Sequence, residues 1–213
     1  MIELPDLTGD LIAYTGREPE LVRLRCKTAA TELAWLWPQY ADNPTAFYQA
    51  TDLYLFDLTQ YQLMLRGLRH AEWLAESVEG WIGERGGCRV LDYGGGIGEW
   101  ALIAALAGAD VTYFDLPGPT LDYARWRFGR YGATVNVTTA DPLERDYDVL
   151  IAMDVLEHLP DPDPTLARMA RRCKFLICNP EQIRYNALYP MHISRYDPSP
   201  LFEHVAGYVW RPK

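Results

Sequence analysis

A run of glycines between an apolar strand and an apolar helix is the stretch of this chain best suited to chemistry. In Val90-Leu-Asp-Tyr-Gly-Gly-Gly-Ile-Gly-Glu-Trp100, Gly94, Gly96 and Gly98 follow the spacing G-x-G-x-G. Glycine lets the backbone turn sharply and approach a ligand with no Cβ in the way. A nicotinamide fingerprint, G-x-G-x-x-G, begun at Gly94 would need glycine at 99, where Glu99 stands. Asp115 lies 17 residues beyond Gly98, where a strand-end carboxylate can accept both hydroxyls of a bound ribose. Asp141-Pro142 follows the next strand and could contact an adenine amino group. Asp154 ends the strand after that, on the rim where open α/β sheets bind ligands.

Two histidines are placed to move a proton near that rim. His158 follows Glu157 directly and stands four positions after Asp154, a spacing that puts the Asp and His on one face of a helix leaving the strand. His192 comes later in the chain, and imidazole titrates close to working pH, so either can serve as a base. His70 and His204, each on a predicted helix, read as surface or packing residues.

The elements that must position these groups fall into two textures that meet around Gly86-Gly87. Upstream, helix formers at apolar spacing predict helices over 18–37, 51–65 and 69–82. Downstream, short β-rich runs at 89–93, 110–114, 134–138, 147–153 and 174–178 alternate with helical stretches at 97–106, 120–131 and 165–172. Such alternation implies right-handed βαβ units, hence an α/β fold with a mainly parallel sheet flanked by helices. The expected division is an N-terminal helical lid and substrate region, 1–87, and a ligand-binding domain, 88–213. Eight aromatic residues lie between Trp35 and Tyr61. Of these, Trp35, Trp37, Tyr40, Tyr48, Tyr54 and Tyr61 are the candidate substrate-enclosing residues; they could hold a planar or lipophilic acceptor or surround a cation.

The chain has 213 residues and a net charge of −9, which disfavours a nucleic-acid or anionic-membrane partner. The charge is uneven, −6 over residues 1–87 and −3 over 88–213, so the aromatic helical part is also the more acidic one. There is no apolar run of transmembrane length and the N-terminal residues are acidic, which together point to the cytoplasm. Cys26, Cys88, Cys173 and Cys178 have no zinc-ligand spacing and read as buried free thiols.

At the glycine loop and the acids that follow it, the chain resembles the class I S-adenosylmethionine-dependent methyltransferases, particularly the small-molecule branch with the ubiquinone-type O-methyltransferases. Residues 90–98 look like that family's first motif, Asp115 its ribose acid, Ala140-Asp141 its adenine-side acid, and Tyr147 to His158 its fourth motif. Residues 192–201, followed by Gly207-Tyr208, resemble its late loop and helix. The resemblance implies a Rossmann-like fold with S-adenosyl-L-methionine as cofactor. It makes Asp92, Tyr93, Gly94, Gly96, Gly98, Asp115, Leu116, Asp141, Pro142, Met153 and Asp154 the cofactor-binding set. Tyr14 would reach the donor site as the family's early tyrosines do.

The implied reaction is methyl transfer to a small-molecule acceptor, foremost at a hydroxyl oxygen, with His158 and His192 as the catalytic candidates. Asp154, Glu157, His158 and His192 are also similar to the E-x-x-E-H…H metal site of small-RNA 2′-O-methyltransferases. Three readings of this group stay open: a divalent metal, which is not the favoured one, a metal-free histidine base, and a structural cap. The alternative functions are an RNA or protein methyltransferase with such a metal, and a non-catalytic S-adenosylmethionine-binding partner subunit. The family's sheet ends in a hairpin whose last strand inserts beside the fifth, whereas this chain ends at Val209-Trp-Arg-Pro-Lys213. A shortened C-terminus is therefore expected, its open edge covered by the N-terminal segment or by a second subunit in a homo-oligomer.

Overall fold

The computed structural model describes residues 3–67, 69–179 and 188–213. Helices come first: α1 (Leu7–Thr15), α2 (Pro19–Leu36), α3 (Pro44–Ala50), α4 (Leu53–Gly67) and α5 (His70–Arg85). Their ends follow local chemistry. Asp6 caps α1 by accepting from the Gly9 N–H, and Gly16 closes it in the left-handed conformation. Asn43 caps α3 by accepting from the Ala46 N–H, with Pro44 at the first helical position. Two short helices, α1 and α3, were not expected from the sequence.

Strands and helices then alternate: β1 (Arg89–Tyr93), α6 (Glu99–Leu106), β2 (Asp110–Phe114), α7 (Pro119–Arg130), β3 (Val135–Thr138), β4 (Tyr147–Ala152), α8 (Asp163–Ala170) and β5 (Cys173–Cys178). A hairpin follows, β6 (Phe202–Ala206) and β7 (Val209–Pro212). The sheet order is β3-β2-β1-β4-β5-β7-β6, parallel through β5. Every residue of β4 is buried, as a central parallel strand covered on both faces requires. From β1 the chain winds first to β2 and later back to β4, so the crevice above β1 and β4 is the switch point where such sheets bind ligands.

The C-terminus corrects the sequence reading. The last strand is present: β7 runs antiparallel beside β5, with Leu176 opposite Trp210 and Ile177 opposite Val209. The segment read as a late helix is instead β6, which carries His204 and pairs with β7 across a turn at Gly207-Tyr208. The fifth strand therefore has no open edge to be covered by another segment or subunit. Four of the five residues of β6 are exposed, so it shows no buried stripe that would mark it as a strand.

The N-terminal helices share cores with the sheet layer. Leu7, Leu11, Val22, Leu55 and Phe56 pack in one cluster with Ile97 and Tyr123. Among the described residues, no helix is long and apolar enough to cross a membrane.

Candidate active site

The glycine loop leaves β1 in a conformation that other residues cannot copy at two positions. Gly94 has φ +68°, and a Cβ there would lie 2.7 Å from Val155 Cγ1. Gly96 has φ +55°, and a Cβ there would lie 2.7 Å from Leu58 Cδ1 on α4. Asp115 shapes the loop from the end of β2, accepting from the Gly96 N–H at 2.6 Å and the Leu116 N–H at 2.7 Å. Tyr113 donates from its hydroxyl to the Gly96 carbonyl at 2.6 Å. Burial raises the Asp115 carboxyl above the usual range against these hydrogen bonds. Asp92, at 2% exposed, accepts from the Ala101 N–H at 3.0 Å. Burial, reinforced by Asp115 and Glu99, pushes Asp92 up to about 7.

Beneath the loop lies a buried ion network that explains Glu99. Arg127, fully buried, donates Nη2 to Glu99 Oε2 at 2.7 Å, Nε to Asp10 Oδ2 at 3.0 Å and Nη1 to the Ile97 carbonyl at 3.0 Å. Arg66 on α4 pairs with the other oxygen of Glu99, and Arg130 with the other oxygen of Asp10. One network thus joins α1, α4, α6 and α7 and fixes the far end of the glycine loop.

Above the switch point is a cavity of about 310 Å³. Its floor is Asp92 to Ile97, Phe114 to Leu116, and Met153 to Val155; its roof is α3 and α4, through Pro44, Thr45, Tyr48, Tyr54, Leu58, Tyr61 and Gln62. Of the cofactor candidates, Asp92, Tyr93, Gly94, Gly96, Asp115, Leu116, Met153 and Asp154 line this space. Gly98 does not: it opens α6 with φ +71°, packed against Phe128 and Ala124. Asp141 and Pro142 do not line it either, and Asp141 is held by two hydrogen bonds from Arg168 at 2.6 and 3.2 Å.

Of the aromatic candidates, Tyr48, Tyr54 and Tyr61 line the cavity. Trp37 and Tyr40 instead pack on Phe47, at ring separations of 5.1 and 5.8 Å, and Trp35 is 75% exposed on α2. Tyr14 stacks among Tyr123 and Trp126. Thr120, Trp100, Leu58 and Gln62 also line the cavity and were missed; none carries a sequence signal beyond its place on an amphipathic helix.

At the end of β4 the chain turns through Asp154, whose φ of +59° is rare for a residue with a Cβ. Its N–H donates to Asn179 Oδ1 at 2.9 Å, which holds the turn. A short 3-10 turn, Leu156–His158, follows where a longer helix was expected, and it still brings Asp154 and His158 together. His158 Nδ1 lies 3.1 Å from the Met191 carbonyl and 2.8 Å from the Tyr48 hydroxyl. The carbonyl can only accept, so a protonated Nδ1 serves Met191 and leaves the Nε2 lone pair free, whereas a bare Nδ1 accepts from the Tyr48 hydroxyl; the two contacts belong to the two tautomers of the ring. Burial and the neighbouring His192 push His158 down to about 3, so the ring is neutral at working pH.

The His192 ring packs 4.7 Å from that of His158, edge to face, and its buried Nδ1 has no partner. Glu157 is fully buried beside Asp154, and its carboxyl has no cationic partner among the described residues. Burial raises Asp154 well above the usual range, with Glu157 adding to it, and burial raises Glu157 as well. Asp154, His158 and His192 each offer a donor atom within 4.8 Å of the others, and Glu157 stands outside that group.

A family model described as a methyltransferase domain matches residues 48–191. The chain is 36% identical over 113 residues to the ubiquinone biosynthesis O-methyltransferase of Bordetella avium, a match covering 50% of this chain and 43% of that protein. It is 39% identical over 108 residues to the protein of the same description in Bordetella pertussis, covering 46% and 43%. The chain thus spans less than half the length of these curated relatives. Among solved structures, monomeric WbdD shares the fold, with a TM-score of 0.53 at 16% identity over 68% of this chain and 40% of that one.

Proposed function

Because the chain belongs to the class I S-adenosylmethionine-dependent methyltransferases, we propose that it transfers a methyl group from S-adenosyl-L-methionine to a hydroxyl oxygen of a small-molecule acceptor. The observation that carries this reading is the cavity at the switch point. It is bounded by a glycine loop and a ribose-type acid, and no lysine or arginine is among the described residues that line it. Such a lining suits a nucleoside that bears a cationic sulfonium better than the pyrophosphate of a dinucleotide.

When bound, the cofactor supplies an activated methyl group that leaves on in-line attack by the acceptor oxygen. The protein's share is positioning, desolvation and removal of the acceptor proton. In this reading Asp115 takes the ribose hydroxyls, Gly94 and Gly96 admit the ligand to the backbone, and Asp92, Tyr93, Leu116, Met153 and Asp154 complete the donor side. Tyr48, Tyr54 and Tyr61 roof the acceptor. His158 Nε2 accepts the acceptor's proton, with its ring oriented through Nδ1 by the Met191 carbonyl. His192 packs behind it as a second imidazole.

The donor atoms of Asp154, His158 and His192 would suit a divalent ion, which would polarise the acceptor hydroxyl. A sulfonium donor does not require that help, and the proposed reaction proceeds without it.

Calorimetry with S-adenosylhomocysteine and with NAD tests the cofactor class. The expected result is binding of S-adenosylhomocysteine alone; binding of NAD alone overturns the reading.

A further inference from the structure

Two oxygens compete for one nitrogen of the proposed base. His158 Nδ1 lies 2.8 Å from the Tyr48 hydroxyl and 3.1 Å from the Met191 carbonyl. The ring is neutral and carries a single N–H. With that hydrogen on Nδ1, the bond goes to Met191 and Nε2 is bare. With it on Nε2, Nδ1 accepts from the Tyr48 hydroxyl, the carbonyl goes without, and Nε2 has no lone pair with which to take a proton. Contact length separates the two states. A hydrogen on Nδ1 shared between both oxygens would leave both contacts long, whereas 2.8 Å matches a bond donated by a hydroxyl and 3.1 Å is past the usual length for an N–H donor.

Packing holds both competitors in place. Phe47, next to Tyr48 on α3, shares one buried cluster with Met191, Leu33, Trp37, Leu53 and Tyr54. Further along, α3 rests on the segment that follows Asp115, where a Cβ on Gly118 would lie 3.3 Å from Gln49 Cα. The Tyr48 ring meets the His158 ring edge to face at 5.5 Å. Both residues line the cavity, so an acceptor seated there comes within reach of the Tyr48 hydroxyl as well as of the imidazole.

We propose that Tyr48 is a positioning residue that sets the tautomer of His158. In the acceptor-free protein its hydroxyl, donated to Nδ1, keeps the ring hydrogen on Nε2 and the base idle; an acceptor oxygen that draws the hydroxyl away frees Nδ1 to donate to Met191 and bares Nε2. One hydrogen leaves Nε2 and one arrives at Nδ1 by exchange with solvent water, so the charge of the ring is unchanged. The meaning of this for catalysis rests on the methyl-transfer reading, in which Nε2 is the base.

The test is nitrogen NMR of the ligand-free, full-length protein with ¹⁵N-labelled histidine rings, in chelator-containing buffer, since the coupling pattern of each ring shows which nitrogen carries the hydrogen. The signals missing from His158→Gln are those of His158. In the unaltered protein the Nε2–H form is expected to predominate. Tyr48→Phe should shift the ratio toward Nδ1–H about tenfold, the net worth of one hydrogen bond. Tyr40→Phe, which removes a hydroxyl from a ring packed on Phe47 at 5.8 Å, should leave it unmoved. An Nδ1–H form in equal or greater share in the unaltered protein overturns the proposal, as does an unchanged ratio in Tyr48→Phe or an equal shift in Tyr40→Phe. If Tyr48→Phe fails to fold, the ratio in the unaltered protein decides alone. Failure of S-adenosylhomocysteine to bind would instead sink the methyl-transfer reading without touching the tautomer ratio, so the two failures are distinguishable.

Discussion

Replacing Arg127 with methionine should cost the protein a large part of its stability while keeping the volume of the side chain. The guanidinium is fully buried and donates to Glu99, Asp10 and the Ile97 carbonyl. Breaking a buried ion pair by removing one partner costs roughly 3 to 5 kcal/mol, because the other charge is stranded. Here the stranding is incomplete. Glu99 keeps Arg66, and Asp10 keeps Arg130 and the Tyr131 hydroxyl, each of these two at 3.0 Å. The expected loss is therefore near the lower end, about 3 kcal/mol, with about 1 kcal/mol more for the abandoned Ile97 carbonyl. In urea unfolding this is a midpoint lowered by about 1 M or more at unchanged slope. Adding Asp10→Asn and Glu99→Gln to Arg127→Met removes the excess negative charge but takes the carboxylates from Arg66 and Arg130, so it should recover only part of the loss. A loss under about 1 kcal/mol, or a triple variant no better than the single one, would refute the argument that the network is a charge-balanced anchor for the loop.

Other outcomes follow from the site. Asp115→Ala should weaken S-adenosylhomocysteine binding about 10- to 100-fold, the worth of hydrogen bonds to a charged acceptor; an unchanged dissociation constant removes Asp115 from the ribose. His158→Gln should lower methyl transfer from a labelled donor by about 100-fold or more with S-adenosylhomocysteine affinity nearly intact, whereas a pure loss of affinity would make His158 a packing residue. A chelator should leave turnover unchanged, and inactivation restored by Mn²⁺ would reinstate the metal. Asp57 and Asp92, both pushed up mainly by burial to about 7, hold protons in the folded state that the unfolded chain releases above about 4. Unfolding free energy from these groups therefore falls as pH rises from about 4 to about 7, and Asp57→Asn should flatten that fall. In Asp141 and Asp148 burial is outweighed by hydrogen bonds from Arg168 and Lys174, and they act only below that window. Because His158, held down to about 3, contributes in the opposite sense, the check is the difference between the unaltered protein and Asp57→Asn; a difference in urea midpoint that stays constant from about pH 4 to about 7 would contradict the assignment.

What could be read from the sequence was whatever depends on local chain geometry. The strand, glycine turn and helix at 89–106 are encoded within one short window, and Asp115 and Asp154 follow because each comes directly after a short β-rich run. Asp141 failed for a long-range reason: the carboxylate is claimed by Arg168, 27 positions away, on α8. Trp35 failed because aromatic density does not say which face of α2 looks inward. His158 was placed beside Asp154 by helical spacing, yet the structure achieves that contact through a left-handed residue and a 3-10 turn. The partner carbonyl at Met191, which orients the ring, is 33 positions from His158 and has no side-chain signature at all.

The place of β7 in the sheet also bears on synthesis. This strand is made about thirty residues after β5, yet it occupies the position beside it, between β5 and β6. Until residue 212 has left the ribosome, β5 shows bare backbone donors and acceptors along one side, and β6 has no partner on which to form. The nascent chain therefore passes through an interval in which a nearly complete sheet carries a sticky border, the condition under which strands of neighbouring chains join. Rapid closure of the turn at Gly207-Tyr208 would shorten that interval.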